Sequence, residues 1–319
     1  MTSTFLWPRL WWILALLLVC AGIGVADPAV LELLSLGRMN DAISILLTRD
    51  DAESLHLLSR AYYATEHWDE AVKYGERAVA LRPENAYYHL WLAREYGQKA
   101  ANANAMTAAA AARKAKTEFE RAVQLDPSNL EARLDLAQYY TEAPAIMGGG
   151  LDKAREQATQ VAKQNAAKSH LILARVAAKE KQLPEAERYL HLAISEAQDP
   201  AEYWLELAEF YRLHERPEDM QKAALNAVAQ HGISADTYFD AADVLFLGNR
   251  DYPEAMSYLK QYLASGELVE GAPAFRAHYL LGQVYEKMGR TPAAISEYQA
   301  SLALASGFDR ARKALNHLQ

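Results

Sequence analysis

The feature that most constrains this chain is that it resembles itself. Residues 52–85 carry a skeleton that returns, in units of 34 residues, at 167–200, 201–234 and 275–308. In the first of these, Leu55, Leu58, Ser59 and Tyr62 fall at i, i+3, i+4 and i+7, one face of a helix. After a turn near Thr65–His67, Ala71, Gly75 and Ala78 mark the facing stripe of a second helix, and Pro83 closes the unit where no backbone donor is needed. The matching residues are Leu173, Ala174, Ala177, Ala186 and Ala193, then Leu207, Ala208, Tyr211, Met220 and Ala227, then Leu281, Gly282, Tyr285, Ala294 and Tyr298. Small residues where the two helices cross let the backbones approach, and the large ones interlock around them. So short a pair cannot hide its apolar side alone, so each must lean on the next.

This spacing resembles the tetratricopeptide repeat family, in the manner of an exported bacterial member, and the likeness covers nearly all of residues 27–319. It implies an all-α fold: a right-handed superhelical solenoid of about eight helix-turn-helix repeats with a concave inner surface. Repeats are clearest at 52–85, 86–129, 130–166, 167–200, 201–234 and 275–308, and a charged capping helix at 309–319 gives the stack a polar last face. The alanine-rich insertion within 86–129 is expected to lengthen both helices of its pair, because alanine is the best helix former. The insertion Pro144–Gly150 is expected to be a long turn with Ile146 and Met147 tucked against a neighbour.

Residues 1–26 read as a secretory signal. Arg9 precedes an apolar run from Leu10, and Gly24-Val25-Ala26 offers small residues for cleavage before Asp27. The expectation is an exported, periplasmic protein, membrane-anchored if that segment is not cleaved. Cys20 is the one cysteine and lies inside the segment, so the mature chain has no thiol chemistry. No later segment is apolar enough to span a membrane. A net charge of −8 argues against a general nucleic-acid binder, since phosphate affinity needs clustered cations.

Nothing in the sequence assembles a catalytic or metal site. The nine histidines do not cluster, and His89, His170 and His278 share one repeat position where a packing residue belongs. No HExxH, GxSxG or paired-cysteine spacing occurs. The reading is a non-enzyme with no cofactor and no metal. It is a scaffold that binds a protein or peptide partner.

The family resemblance implies that the first helix of each pair faces the concave side, its second, fifth and ninth positions toward a ligand. On that basis the partner-binding candidates are Arg60, Tyr87, Leu90, Arg94, Leu134, Gln138, Leu171, Arg175, Leu205, Glu209, Phe239 and Asp243. They suggest an apolar floor with a basic end at Arg60, Arg94 and Arg175 and an acidic end at Glu209 and Asp243, suited to a peptide of matching polarity. The competing reading is that the leucines pack between neighbouring helices and the arginines pair with carboxylates such as Glu131. The carboxylate clamp of repeats that bind chaperone tails is absent: its positions hold His56 and Arg60, Leu90 and Arg94, Leu134 and Gln138. Two rival functions remain open here, a membrane-anchored assembly factor for an envelope export or secretion machine and a glycan-binding solenoid.

Overall fold

The computed structural model describes residues 27–319; the expected signal segment lies outside them. Among the described residues there are seventeen α-helices, one short 3-10 turn and no strand. The first sixteen helices form eight antiparallel pairs: α1 (Pro28–Ser35) with α2 (Met39–Leu46), α3 (Ala52–Ala64) with α4 (Trp68–Leu81), α5 (Ala86–Asn102) with α6 (Ala105–Leu125), and α7 (Leu130–Glu142) with α8 (Leu151–Val161). They continue as α9 (Ala166–Lys179) with α10 (Leu183–Glu196), α11 (Ala201–Leu213) with α12 (Pro217–Val228), α13 (Asp236–Leu247) with α14 (Tyr252–Ser265), and α15 (Ala274–Lys287) with α16 (Thr291–Leu304). A last helix, α17 (Asp309–Leu318), follows.

Local chemistry sets these boundaries. Asp51, Asn85, Asn104, Asn129 and Asn165 each accept a hydrogen bond from a backbone N–H in the first turn of the helix that follows, satisfying donors the helix cannot pair. The turn between first and second helix is equally regular. Glu66, Lys181, Glu215, Asn249 and Gly289, each fifteenth in its unit, all sit at positive φ between 52° and 71°. That left-handed residue breaks the first helix and aims the second back along it. In the seventh pair Asp251 is left-handed as well (φ 44°), and α14 starts one residue later than its counterparts.

Packing follows the small-residue positions. Ala71, Ala122, Ala186 and Ala294 are fully buried at the helix crossings. A Cβ on Gly282 would stand 2.5 Å from the Tyr298 ring, so the glycine makes room for that tyrosine. Tyrosines at the eleventh position clamp one unit to the previous one: Tyr140 Oη donates to Glu120 at 2.8 Å, Tyr211 Oη to Glu187 at 2.6 Å, and Tyr96 to Glu76. His89, His170 and His278 pack against Glu118, Glu196 and Glu297 of their own pairs, the half-buried structural role expected of them. The alanine-rich insertion does lengthen both α5 and α6.

In the Pro144–Gly150 turn, the outcome differs from expectation. Ile146 is 81% exposed rather than tucked in. The turn is instead held by hydrogen bonds to its main chain: Gly150 N donates to Tyr140 O at 2.8 Å, and the Tyr139 side-chain Oη donates to Met147 O at 2.9 Å. A Cβ on Gly149 would stand 1.8 Å from the Ala143 carbonyl oxygen, so no side chain fits there.

The two ends of the stack meet. Val30, Leu34, Met39, Ala42, Leu57, Leu58 and Ala61 from the first two pairs share one apolar core with Phe275, Ala305, Phe308 and Ala311 from the last pair and α17. Gly37 lies so close to the start of α15 that a Cβ on it would be 2.7 Å from the Ala274 nitrogen. Asn40 Nδ2 donates to Ala303 O at 3.0 Å and Asn40 Oδ1 accepts from Ser306 N at 2.8 Å. Glu66 takes Arg310 at 2.8 Å and Arg276 at 3.1 Å, and Arg60 pairs with Glu270. The solenoid is therefore a closed ring with a mixed apolar and ionic seam. The charged tail does more than offer a polar face, since Ala311 of α17 is fully buried.

Candidate functional site

A concavity with a volume of about 850 Å³ lies on the inner surface where α7, α9, α11 and α13 stand side by side. That size suits several side chains of a bound segment. Its apolar surface comes from Leu171, Leu205, Phe210, Leu213, Val244 and Leu247, and its carboxylates include Glu202, Glu206, Glu209, Asp236, Asp240 and Asp243. Leu213 and Leu247 are 61% and 46% exposed, at the ends of α11 and α13.

Six of the twelve candidates line this cavity: Gln138, Leu171, Arg175, Leu205, Glu209 and Asp243. The other six do not. Leu90 is fully buried in the core beside Leu92 and Ala93, which corrects its place on an exposed floor. Leu134 is half-buried against the same core. Phe239 packs 5.9 Å from the Tyr262 ring. The inner helices stand close enough that these fifth-position side chains are gripped between neighbours. Tyr87 stays exposed, its ring edge-on to His56 at 5.2 Å. Arg60 lies over the Trp91 ring at 4.7 Å while it pairs with Glu270, and Arg94 lies over the same ring at 5.0 Å.

The expected basic end is electrically quiet. Arg94 pairs with Asp135 at 2.6 Å and Glu131 at 3.3 Å, and Arg175 with Glu206 at 2.7 Å. Lys179 pairs with Glu142 at 2.9 Å, and Arg212 grips Glu209 with two bonds of 2.6 Å. The acidic end is left without counter-charges of its own: among the described residues Glu202, Asp236 and Asp240 form no ion pair. Asp240 reaches water at the cavity surface, yet the surrounding walls displace most of the solvent around it. That burial, and then the charges of Asp236, Asp243, Glu202 and Glu206, push its carboxyl up to about 7. Burial also raises Asp243, with Arg276 pulling the other way. His56, sealed behind Tyr87, Tyr88 and Trp91, is pushed down to about 3 by burial and by Arg60, so it is a neutral packing residue.

Asp240, Glu206, Leu213 and Leu247 were not among the candidates. They are the sixth and thirteenth positions of their units, and the stripe two, six, nine, thirteen follows the i, i+4, i+7, i+11 spacing of one helix face. Continuing the stripe by helix geometry finds all four. Among the described residues no group of three histidines, cysteines or carboxylates could hold a metal, and no helix is long and apolar enough to cross a membrane.

Comparison with known proteins finds two matching family models, both described as tetratricopeptide repeat, at residues 52–85 and 244–308. No curated protein matches the chain. Among solved structures, it is similar to the APC/C hetero-tetramer Cut9-Hcn1, at 18% identity and a TM-score of 0.42, over 90% of this chain and 54% of that one. The chain thus spans about half the length of that relative. It is also similar to a tetratricopeptide repeat protein from Parabacteroides merdae, at 13% identity and a TM-score of 0.42, over 84% of this chain and 98% of that one.

Proposed function

We propose that this chain, whose residues 52–85 and 244–308 match tetratricopeptide-repeat models, is a protein–protein interaction scaffold that works in the cell envelope by holding a segment of a partner protein on the inner face of its ring. The observation that carries this reading is the cavity of about 850 Å³ between α7 and α13, where apolar side chains stand exposed on a face built of first helices. Apolar side chains left open in a concave wall are what a partner segment buries on binding. Export rests on residues 1–26, whose charge, apolar run and small residues have the order of a cleavable signal.

Photo-crosslinking tests the surface. A crosslinking residue in place of Leu213, on the inner face, captures a defined partner from envelope extract, and the same residue in place of Glu156, on the outer helix α8, does not. Equal capture from both faces overturns the assignment. Intact-mass measurement of the protein recovered from the periplasmic fraction tests export: the mass of a chain beginning at Asp27 is expected, and a full-length mass refutes cleavage.

A further inference from the structure

We propose that the groove between α9, α11 and α13 is a seat for a lysine- or arginine-rich partner segment that also carries apolar side chains. The proposal rests on the inner-face reading above and adds the chemistry of the occupant.

The groove is apolar first. Leu171 and Leu205 form its floor, and Leu213 and Leu247 stand open at its rim. In the charge that surrounds this apolar surface, carboxylates outnumber the cations Arg175 and Lys179. Asp236, Asp240 and Asp243 lie on one face of α13 at i, i+4 and i+7, and Glu202 faces them from α11. Like charges four apart on a helix are destabilising. The ring itself shows the alternative. Around Trp91 the carboxylates Glu131 and Asp135 are neutralised by Arg94 of the neighbouring unit. In the groove, among the described residues, no cation pairs with Glu202, Asp236 or Asp240. Arg175, Lys179 and Arg212 are already held by Glu206, Glu142 and Glu209, and Arg276 reaches across to Glu66 at the seam. Arg276 and Arg212 draw on Asp243, so the negative potential around Glu202, Asp236 and Asp240 is only partly compensated, and it is focused by the concave walls. Asp240 stands at the centre of this cluster, within electrostatic reach of Asp236, Asp243, Glu202 and Glu206. A partner cation placed among these carboxylates would replace repulsion by attraction, while its apolar residues cover Leu213 and Leu247.

The test uses the chain 27–319 and two synthetic twelve-residue peptides, one alternating lysine and leucine, the other glutamate and leucine. Titration calorimetry is expected to show saturable binding of the lysine peptide alone, weakening as salt rises. Asp240→Asn combined with Glu202→Gln is expected to weaken binding about tenfold, as for two lost exposed charge pairs. These substitutions keep side-chain shape and remove repulsion, so melting temperature should hold or rise. Glu70→Gln with Glu156→Gln, which removes the same charge from the outer helices, should leave affinity unchanged. Asp240→Lys with Glu202→Lys should transfer preference to the glutamate peptide. No binding of the lysine peptide overturns the proposal, as does an equal loss from the outer-face pair, which would show attraction to net charge alone. If the partner crosslinks at Leu213 but its affinity ignores Asp240→Asn with Glu202→Gln, the inner-face scaffold stands and the cationic occupant is refuted.

Discussion

Replacing Glu95 by methionine should make this protein more stable, and increasingly so as pH rises. Glu95 is fully buried on α5 and points into the space that a side chain on Gly75 of α4 would occupy, since a Cβ there would stand 2.1 Å from its Oε2. Neither carboxyl oxygen has a hydrogen-bond partner of good geometry, and Ser59 Oγ, the hydroxyl that bears on it, donates to the His56 carbonyl at 2.8 Å. Burial, with the charge of Glu76, therefore holds the carboxyl well above the usual carboxylate range, Ser59 offsetting only part. Left neutral, such an orphan costs about 1–3 kcal/mol relative to an apolar group of the same shape. The sign of the pH dependence follows from linkage. A carboxyl whose folded pKa is raised contributes its stability fully below the unfolded pKa and loses it as pH climbs toward the folded value. Over that window the loss is about 1.4 kcal/mol per pH unit. Urea unfolding at pH 4.5, 6 and 7.5, followed by circular dichroism, measures the difference. The methionine variant should gain at least about 1 kcal/mol at the lowest pH, with a gap that widens upward. A variant that is less stable throughout, or a gap that does not change with pH, would refute the account of Glu95 as a buried, protonated orphan.

Other outcomes follow from the same structure. Phe308→Ala removes a fully packed ring at the seam, 5.1 Å from Phe275 and 5.2 Å from Tyr279, and should cost about 3–5 kcal/mol; small-angle scattering should show a larger radius as the ends part, and unchanged dimensions would count against closure. Lys181→Gly relieves a left-handed backbone at φ 63° and should add about 0.5–1 kcal/mol in the same urea assay, whereas the reverse sign would mean the turn is unstrained. Gly149→Ala should lower the melting temperature by forcing a Cβ against the Ala143 carbonyl, and an unchanged midpoint would mean the turn moves freely aside. Asp240 has a raised carboxyl, so its share of stability is present below about pH 3.8 and is lost as pH climbs through about 7; Asp240→Asn should flatten the stability profile of the wild type between pH 5 and 8, and parallel profiles would refute the crowding of charge at that residue.

The repeats were legible because their determinants are local. Ala71, Ala186 and Ala294 recur at the position where two helices cross, and all are fully buried. The turn residue was half legible: Gly289 declares a left-handed backbone, but Glu66, Lys181 and Glu215 adopt the same angle with side chains that give no sign of it. The inner face was harder to read. Leu90, Leu171 and Leu205 share one repeat position, yet Leu90 is sealed in the core, Leu171 is nearly as buried at the base of the cavity, and Leu205 is half-buried on its wall. That difference is set by the spacing of neighbouring helices, not by residue type. Arg94 and Arg175 read as free charge because their partners, Asp135 and Glu206, lie on the next unit. Phe275 and Phe308 look like ordinary core residues of the last repeat; only in three dimensions do they meet Val30 and Leu34.

The joined ends change how such a stack comes apart. A linear array loses structure from its termini, where the outermost unit has one neighbour and frays first. Here α1 and α2 touch the second pair on one side and the last pair with α17 on the other. Unravelling must therefore begin by breaking two contacts instead of one, and deleting residues 27–51 would expose two raw surfaces. The same arrangement governs entry. A partner segment can thread to the inner wall from above or below the ring, whereas a partner too bulky to thread must wait for the clasp at Glu66 and Phe308 to part.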